Sequence, residues 1–354
     1  MLSKVKLCLI AVTTIEILQL AIFALSQWCS SNSGIPGVQQ FSFSKQPNSG
    51  TMRNLHRAFS SCSVDPSAGP IQVFEGSKMI ISDLEKRVCG VEMGGSWQPR
   101  DCLARSRVAL LVPYRNRQQE LVLFLNHMHP FLQRQKLEYT IFIVEQSANH
   151  WFNKGAVVNA GFREVVSRDS YDCYIINDVD VLPEDDRIRY ECADHPRHLA
   201  AAVNIWKYGL MYDYLFGGAI AFTRHQYTKV NGFSNAYFGW GGEDDDLSAR
   251  VTDHGYKILR NSPTISHFKA LQHTRPEHNK HRFYYYHRRK QRYIKDGLSS
   301  IQYNLISYEE KPLYTHIIIG LDYASIMDHV HSLMVTRGES QSSAPIISKM
   351  KTRV

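Results

Sequence analysis

The chain has 354 residues, of which 44% are hydrophobic, 21% charged and 11% aromatic, with 13 Pro, 21 Gly and 7 Cys. That composition excludes a collagen, a low-complexity polymer and a disulfide-dense miniprotein, and the length suits one large domain or two of about 100–200 residues. A net charge of +8 favours anionic partners without choosing among nucleic acid, phosphate esters and anionic lipid.

Residues 7–25 form the first apolar run, 19 residues preceded by Lys4 and Lys6, with no further Lys or Arg until Lys45. A bilayer takes about 20 apolar residues, and flanking cations stay cytoplasmic, so the run reads as a single signal anchor with residues 1–6 a cytosolic tail. Glu16 and Gln19 lie inside it, and an acid at a span's centre costs about 2.5–3.5 kcal/mol. The competing reading is a signal peptide cleaved near Ala24-Leu25-Ser26. Apolar regions of signal peptides run about 7–15 residues, which favours the retained anchor. Under either reading the remainder is lumenal or extracellular, where disulfides form and nucleic acid is not a partner. Cys29, Cys62, Cys89, Cys102, Cys173 and Cys192 are then available, and with no C-x-x-C pair the usual zinc and thioredoxin-like signatures are missing. Spacing leaves their connectivity open. Residues 26–61, rich in Ser, Gly, Pro and Gln, read as a flexible stem.

Regular patterning begins near Arg107. Residues 108–112 are an apolar run ending at Pro113, as in a buried strand. Residues 118–132 carry Leu121, Leu125 and Met128 at helical spacing. Residues 139–144 form a second β-rich run, 153–167 an Ala/Val/Gly-rich segment of helical length, and 173–176 a third strand before Asp178. This β-α-β-α-β order predicts a parallel sheet with right-handed crossovers, binding ligands beyond the strands' carboxyl ends. Those ends carry Tyr114-Arg115-Asn116-Arg117 and Asp178-Val179-Asp180. Beyond Tyr323 the pattern is lost, and residues 324–354 read as an irregular tail. The phosphate loop, dinucleotide fingerprint, zincin helix and nucleophile elbow all lack their motifs here.

Two carboxylates at a strand end, Asp178 and Asp180, are costly without a cation; their hard oxygens suit Mn²⁺ or Mg²⁺, although a lone D-x-D also occurs in ordinary loops. Gly239-Trp240-Gly241-Gly242-Glu243-Asp244-Asp245-Asp246 is far less ordinary. Four consecutive acids repel unless they bind a cation, accept hydrogen bonds or hold a proton. Glycines around one Trp allow a mobile aromatic platform for a sugar face, and an acid there can act as a general base. The plainer reading, an acidic first turn of a helix near 247–251, is compatible with this one. In Phe216-Gly217-Gly218, paired glycines fit either close approach of a ligand or backbone, or a bulge. His267, His273, His278, His281 and His287 crowd a segment rich in Arg and Lys. One of them can complete a metal shell, and the basic run suits a phosphate-rich leaving group or a membrane surface.

These motifs, with Pro113-Tyr114-Arg115-Asn116-Arg117, Phe152-Asn153-Lys154 and Arg282-Phe283, resemble the β-1,4-galactosyltransferase family over residues 62–323. The resemblance implies an α/β, GT-A (Rossmann-like) nucleotide-sugar fold in a Golgi type II membrane enzyme. It places Pro113, Arg115, Arg117, Phe152, Lys154, Asp178, Val179, Leu215 and Trp240 at the UDP-sugar donor. Gly241, Gly242, Asp245, Arg282 and Phe283 fall at the acceptor, Asp180 and His273 on the metal, and Asp244 as general base with Glu243 beside it. It also implies disulfides Cys62–Cys102 and Cys173–Cys192, leaving Cys29 and Cys89 unassigned. Lys154 stands where vertebrate members often have Arg, a point charge in place of a fork toward the diphosphate.

Two departures bear on function. The family's Met metal ligand is replaced by Ala270, which cannot ligate, so water or a neighbour such as His267 must substitute, and a preference for Mn²⁺ can relax toward Mg²⁺. Galactose-transferring members carry Tyr where this chain has Leu215, and related invertebrate members with Ile or Leu transfer N-acetylgalactosamine. The expected reaction is therefore inverting transfer of N-acetylgalactosamine from UDP-GalNAc, β-1,4-linked, to the terminal N-acetylglucosamine of a glycoprotein or glycolipid. The alternatives are plain galactosyl transfer and a weakly active lumenal protein that requires a partner; a membrane helper protein is a possible associate of the enzyme as well.

Overall fold

The computed structural model describes residues 60–63, 68–74, 79–147, 150–272 and 277–334. The expected tail, anchor and most of the stem lie outside these residues, as do Cys29 and His273. Among the described residues no helix is long and apolar enough to cross a membrane.

In chain order the elements are α1 (Ile81–Arg87), β1 (Ser96–Trp97), β2 (Arg107–Tyr114), α2 (Gln118–Arg134), β3 (Glu138–Gln146), α3 (Lys154–Arg168) and β4 (Cys173–Asn177). There follow β5 (Val181–Pro183), β6 (Arg197–His198), β7 (Ala202–Val203), β8 (Ala219–Phe222), α4 (Arg224–Lys229), α5 (Glu243–Asp253), β9 (Leu259–Arg260) and β10 (His267–Ala270). The last are α6 (Arg282–His287), α7 (Arg289–Arg292), β11 (Asn304–Lys311), β12 (Tyr314–Gly320) and α8 (Tyr323–Ser332).

The expected β-α-β-α-β run is present as β2-α2-β3-α3-β4, with β2 parallel to both β3 and β4. Its strands are apolar on both faces because both faces are covered. Val108, Leu110 and Val112 of β2 join one core cluster with α2, while Ala109 and Leu111 join another with α3. β12 lies parallel to β3, whereas β8 runs antiparallel to β4 and β6 to β8. The result is a nine-stranded mixed sheet rather than a purely parallel one. A separate small sheet joins β10 to β5 and β7. The disulfides Cys62–Cys102 and Cys173–Cys192 both form, with Cα–Cα distances of 5.0 and 5.3 Å.

One expectation needs correction. The chain beyond Tyr323 does not turn irregular at once: α8 occupies Tyr323–Ser332, capped by the Asp322 carboxylate, which accepts from the Ala324 and Ser325 N–H groups. Its Ile326, Met327 and Val330 recur at one-face spacing and enter the α3-side core. Met327→Ala should therefore cost about 2–5 kcal/mol in denaturant unfolding. A change below about 0.5 kcal/mol, as at an exposed position, would show that α8 is not part of the folded core.

Candidate active site

The carboxyl edge of the parallel strands carries the D-x-D. The Asp178 N–H donates to the Gly218 carbonyl at 2.7 Å. Buried Asn177 donates from Nδ2 to the Asp178 and Val181 carbonyls at 2.9 and 2.8 Å, and its Oδ1 accepts from the Tyr190 hydroxyl at 2.7 Å. This closes the turn that presents Asp178 and Asp180 while Val179 packs into the core. Asn177 carries a weak signal in the sequence, a polar residue ending an otherwise apolar strand. At the end of β2, the Arg115 guanidinium lies 5.5 Å from the Phe152 ring centre and donates to the His150 carbonyl. Arg117, the residue before α2, pairs with Glu120 at 3.4 Å.

The acid run forms the first turn of α5, where the helix dipole favours negative charge. Gly242 caps that helix at φ +99°, with the Tyr237 ring 2.7 Å from where a Cβ would stand. The four acids diverge. Asp246 turns inward and accepts from the Tyr237 hydroxyl at 2.9 Å, Arg250 Nε at 2.7 Å and Arg292 Nη2 at 3.1 Å. Asp245 accepts from the Tyr212 hydroxyl at 2.9 Å. Glu243 and Asp244 face Lys154, whose Nζ lies 3.0 Å from Asp178, 3.1 Å from Asp244 and 4.0 Å from Glu243.

Lys154 is thus the counter-ion of the acids, a role that the comparison with a diphosphate-binding Arg did not suggest. Burial alone lowers its pKa, but Asp178, Asp244 and Glu243 together hold it raised. Burial pushes Asp178 up to about 6 against the pull of Lys154, with Asp244 and Asp180 adding to the rise. Burial, reinforced by Asp244, lifts Glu243 to about 8. Glu243 Oε2 is buried without a hydrogen-bond partner among the described residues, a polar atom whose hydrogen-bonding capacity the fold leaves unused. Gly217 explains its own glycine: a Cβ there would sit 2.3 Å from Asp244 Oδ2. The close approach comes from a catalytic-candidate side chain, not from a bulge.

The Trp loop closes the other side. The Trp240 N–H donates to the Glu277 carbonyl at 3.1 Å, and the Trp240 carbonyl accepts from the Asn279 N–H at 3.0 Å. The indole stands edge-on to His278 at 4.8 Å and remains 52% exposed. Arg282 packs on Gly241 and Gly242, at 3.3 and 3.1 Å from their Cβ positions, and its guanidinium lies 4.7 Å from the Phe283 ring centre. The Gly239 N–H donates to the Phe152 carbonyl at 2.8 Å, joining this loop to the Arg115 region. Donor-side and acceptor-side expectations therefore meet along one edge.

For a metal, the described residues offer Asp180. The Asp180 carbonyl accepts from the Leu271 N–H at 2.8 Å, and Ala270 stands opposite Val181 in the β10–β5 ladder. The segment leading to His273 thus passes beside the D-x-D, although His273 itself is outside the described residues. His267 does not replace the missing Met. Strand alternation puts Phe268 and Ala270 on one face and His267 on the other, where its ring stacks on Tyr208 at 4.4 Å. Among the described residues no three His, Cys, Asp or Glu side chains form a metal-sized group. The hard oxygen of Asp180 suits a divalent cation whose other ligands come from elsewhere, a donor diphosphate included.

Residues 62–193 match the model of the N-terminal region of glycosyl transferase group 7, and residues 197–274 match that of the N-terminal domain of galactosyltransferase. The chain is 43% identical over 260 residues to beta-1,4-galactosyltransferase 3 of Cricetulus griseus, covering 72% of this chain and 66% of that one. It is 44% identical over 229 residues to beta-1,4-galactosyltransferase 4 of the same species, covering 64% and 67%. The match thus spans about two thirds of the length of these curated relatives. Among solved structures, a mutant Drosophila β-1,4-galactosyltransferase 7 in complex with manganese, UDP-Gal and xylobiose is 30% identical at a TM-score of 0.53. That match covers 61% of this chain and 94% of the other.

Removing the counter-ion gives a signed test. Lys154 favours the ionised carboxylates, so Lys154→Met should cost about 3–5 kcal/mol of stability where Asp178 and Glu243 are charged, above pH 8. The loss should shrink as pH falls through 8 and then 6, where protons replace the missing cation. Thermal unfolding of both proteins at about pH 5 and pH 8.5 checks this; an equal loss at both pH values would contradict the counter-ion role.

Proposed function

We propose a reaction for this chain from one premise: it belongs to the β-1,4-galactosyltransferase family, a family of glycosyltransferases. The reaction is inverting transfer of N-acetylgalactosamine from UDP-GalNAc, in β-1,4 linkage, to a terminal N-acetylglucosamine of a glycoconjugate. The observation that carries the transferase chemistry is the convergence of Asp178, Glu243 and Asp244 on Lys154 at the sheet's carboxyl edge. In this reading Asp244 takes the proton of the acceptor 4-hydroxyl. The freed oxygen attacks the anomeric carbon from the face opposite the diphosphate, the anomeric C–O bond breaks, and UDP leaves with the bonding pair. Glu243, with its unpartnered Oε2, holds a sugar hydroxyl, and Lys154 keeps the acids from repelling one another before substrate arrives.

Arg115 and Arg117 face the departing diphosphate, and Trp240 with the glycines beside it covers the sugars and excludes water that would hydrolyse the donor. Asp180 and His273 are the residues that would hold a divalent cation, which when bound neutralises charge on the leaving diphosphate. Manganese is present in the fly relative's complex; with Ala270 in place of a thioether, Mg²⁺ should serve nearly as well. The apolar run at 7–25 with Lys4 and Lys6 supports a Golgi type II placement, with the catalytic domain lumenal.

Donor choice rests on Leu215, a buried residue of the Phe216-Gly217-Gly218 approach. Without a phenol at that position there is room for a 2-acetamido group. Galactose is the second reading, favoured by the names of the relatives and by the UDP-Gal bound in the fly complex.

A competition between equal UDP-GalNAc and UDP-galactose on a simple β-N-acetylglucosaminide, read by product mass with Mn²⁺ or Mg²⁺ in separate reactions, decides between them. N-acetylhexosamine product should dominate, at comparable rates with the two metals; dominant galactose product would sink the donor assignment and keep the family. Asp244→Asn should lower turnover by about 10²-fold or more while the donor still binds. Near-normal turnover by that variant would remove Asp244 as the base.

A further inference from the structure

Leu215 belongs to a short segment, residues 213–217, which leads into β8 and ends where Gly217 meets Asp244. Two side chains from the sheet's antiparallel extension hold three of its carbonyls. Arg260 Nη2 donates to the carbonyls of Asp213 and Leu215 at 2.8 Å each. Arg260 Nε donates to His198 Nδ1 at 3.1 Å. That bond makes Nδ1 the acceptor, so the imidazole proton sits on Nε2, which donates to the Gly217 carbonyl at 3.0 Å. The His198 ring is fully buried and edge-on to Phe216 at 5.9 Å. Burial and the Arg260 charge push its pKa down to about 3, so the neutral ring and this tautomer persist at physiological pH.

The two residues face each other directly: β6 and β9 are two-residue strands paired in parallel with His198 opposite Arg260. Such short strands bury little surface of their own. What they achieve is to set the Arg260 fork against the carbonyls of 213 and 215 and the His198 ring against that of 217, alternate positions of a segment outside any helix or strand.

We propose that Arg260 and His198 are positioning residues for donor selection, setting how far Leu215 reaches toward the sugar and how closely Gly217 seats Asp244. The inference rests on the Leu215 reading of donor choice and adds to it. Arg260 presents a planar fork to two carbonyls and an imidazole at once. A lysine supplies only a point charge on a flexible stem, so Arg260→Lys is not conservative here.

The test uses the full-length protein with a β-N-acetylglucosaminide acceptor. It measures kcat/KM for UDP-GalNAc and for UDP-galactose in wild type, Arg260→Lys, Arg260→Leu, His198→Gln and Leu215→Tyr. The ratio of the two values within one preparation cancels the fraction of active protein, so a merely structural role leaves it unchanged. Arg260→Leu should move the ratio toward unity by about fivefold, with Arg260→Lys between it and wild type. His198→Gln, which keeps an amide donor for the Gly217 carbonyl, should move it less. If Arg260→Leu does not fold, the Lys and Gln variants make the same comparison.

A ratio within about twofold of wild type in these variants, while Leu215→Tyr moves it, overturns the clamp and leaves the donor reading standing. If Leu215→Tyr itself leaves the ratio unchanged, the donor reading fails and takes the clamp with it. A wild-type chain without turnover on either donor overturns both.

Discussion

Four consecutive carboxylates at one helix terminus are the constraint from which the rest of the site follows. A helix N-terminus favours negative charge by a fraction of a kcal/mol per residue, which cannot hold four acids in adjacent positions. The fold answers by sending them in different directions. Asp246 goes into the core between Arg250 and Arg292, and Asp245 to the Tyr212 hydroxyl. Glu243 and Asp244 go to Lys154, a cation contributed by the first residue of another helix. That position is electrostatically wrong for a cation, since its own helix dipole opposes it. The carboxylates of α5 and the D-x-D outweigh that cost, which ties α3, α5 and the end of β4 to one point.

The inward half of this arrangement is structural and belongs to the C-terminal part of the chain. Arg292 and Asp296 form a buried ion pair, and Asp296 also accepts from the Ser234 hydroxyl at 2.6 Å and the Asn235 N–H at 2.9 Å. Arg250 Nη1 donates to the Asp296 carbonyl at 2.7 Å. Buried ion pairs give little net stability, but breaking one leaves an uncompensated charge. Here they anchor the inward side of α5 through Asp246, which contacts Tyr237, Arg250 and Arg292. Within the same first turn, Glu243 and Asp244 face Lys154.

Much of the scaffold was legible in the residues. Continuous apolar strands at 108–112, 139–144 and 173–176, separated by helical periods, specify the parallel centre. The acid run and the D-x-D stood out because their charge has no cheap structural use. The remainder was hidden for identifiable reasons. β6 and β9 are two residues long and have no period to read. The apolar stripe of α8 is interrupted by Asp328, His329 and His331, although its Asp322 cap was a readable start. Asn177 and Tyr212 act on residues distant in sequence or across a turn, so no motif contains both partners. His267 looked like a metal ligand by proximity, and strand alternation, which sequence distance does not show, turned it away.

The same distinction between chemistry and placement applies to donor choice. Replacing a phenol with Leu215 removes bulk, and a pocket that is merely larger still admits the smaller sugar. Apolar discrimination of this kind is worth about 1–3 kcal/mol, and it decays quickly if the side chain shifts, because a displacement of about 1 Å in a site is worth as much as a contact. A donor preference built on Leu215 therefore needs its backbone fixed more firmly than the sugar's own binding energy can fix it. Asp244 needs the same firmness, since its carboxylate occupies the space that a Cβ at Gly217 would fill. In the proposed reaction, selectivity and catalysis would share one five-residue segment, residues 213–217, whose carbonyls at 213, 215 and 217 are held by Arg260 and the fully buried His198.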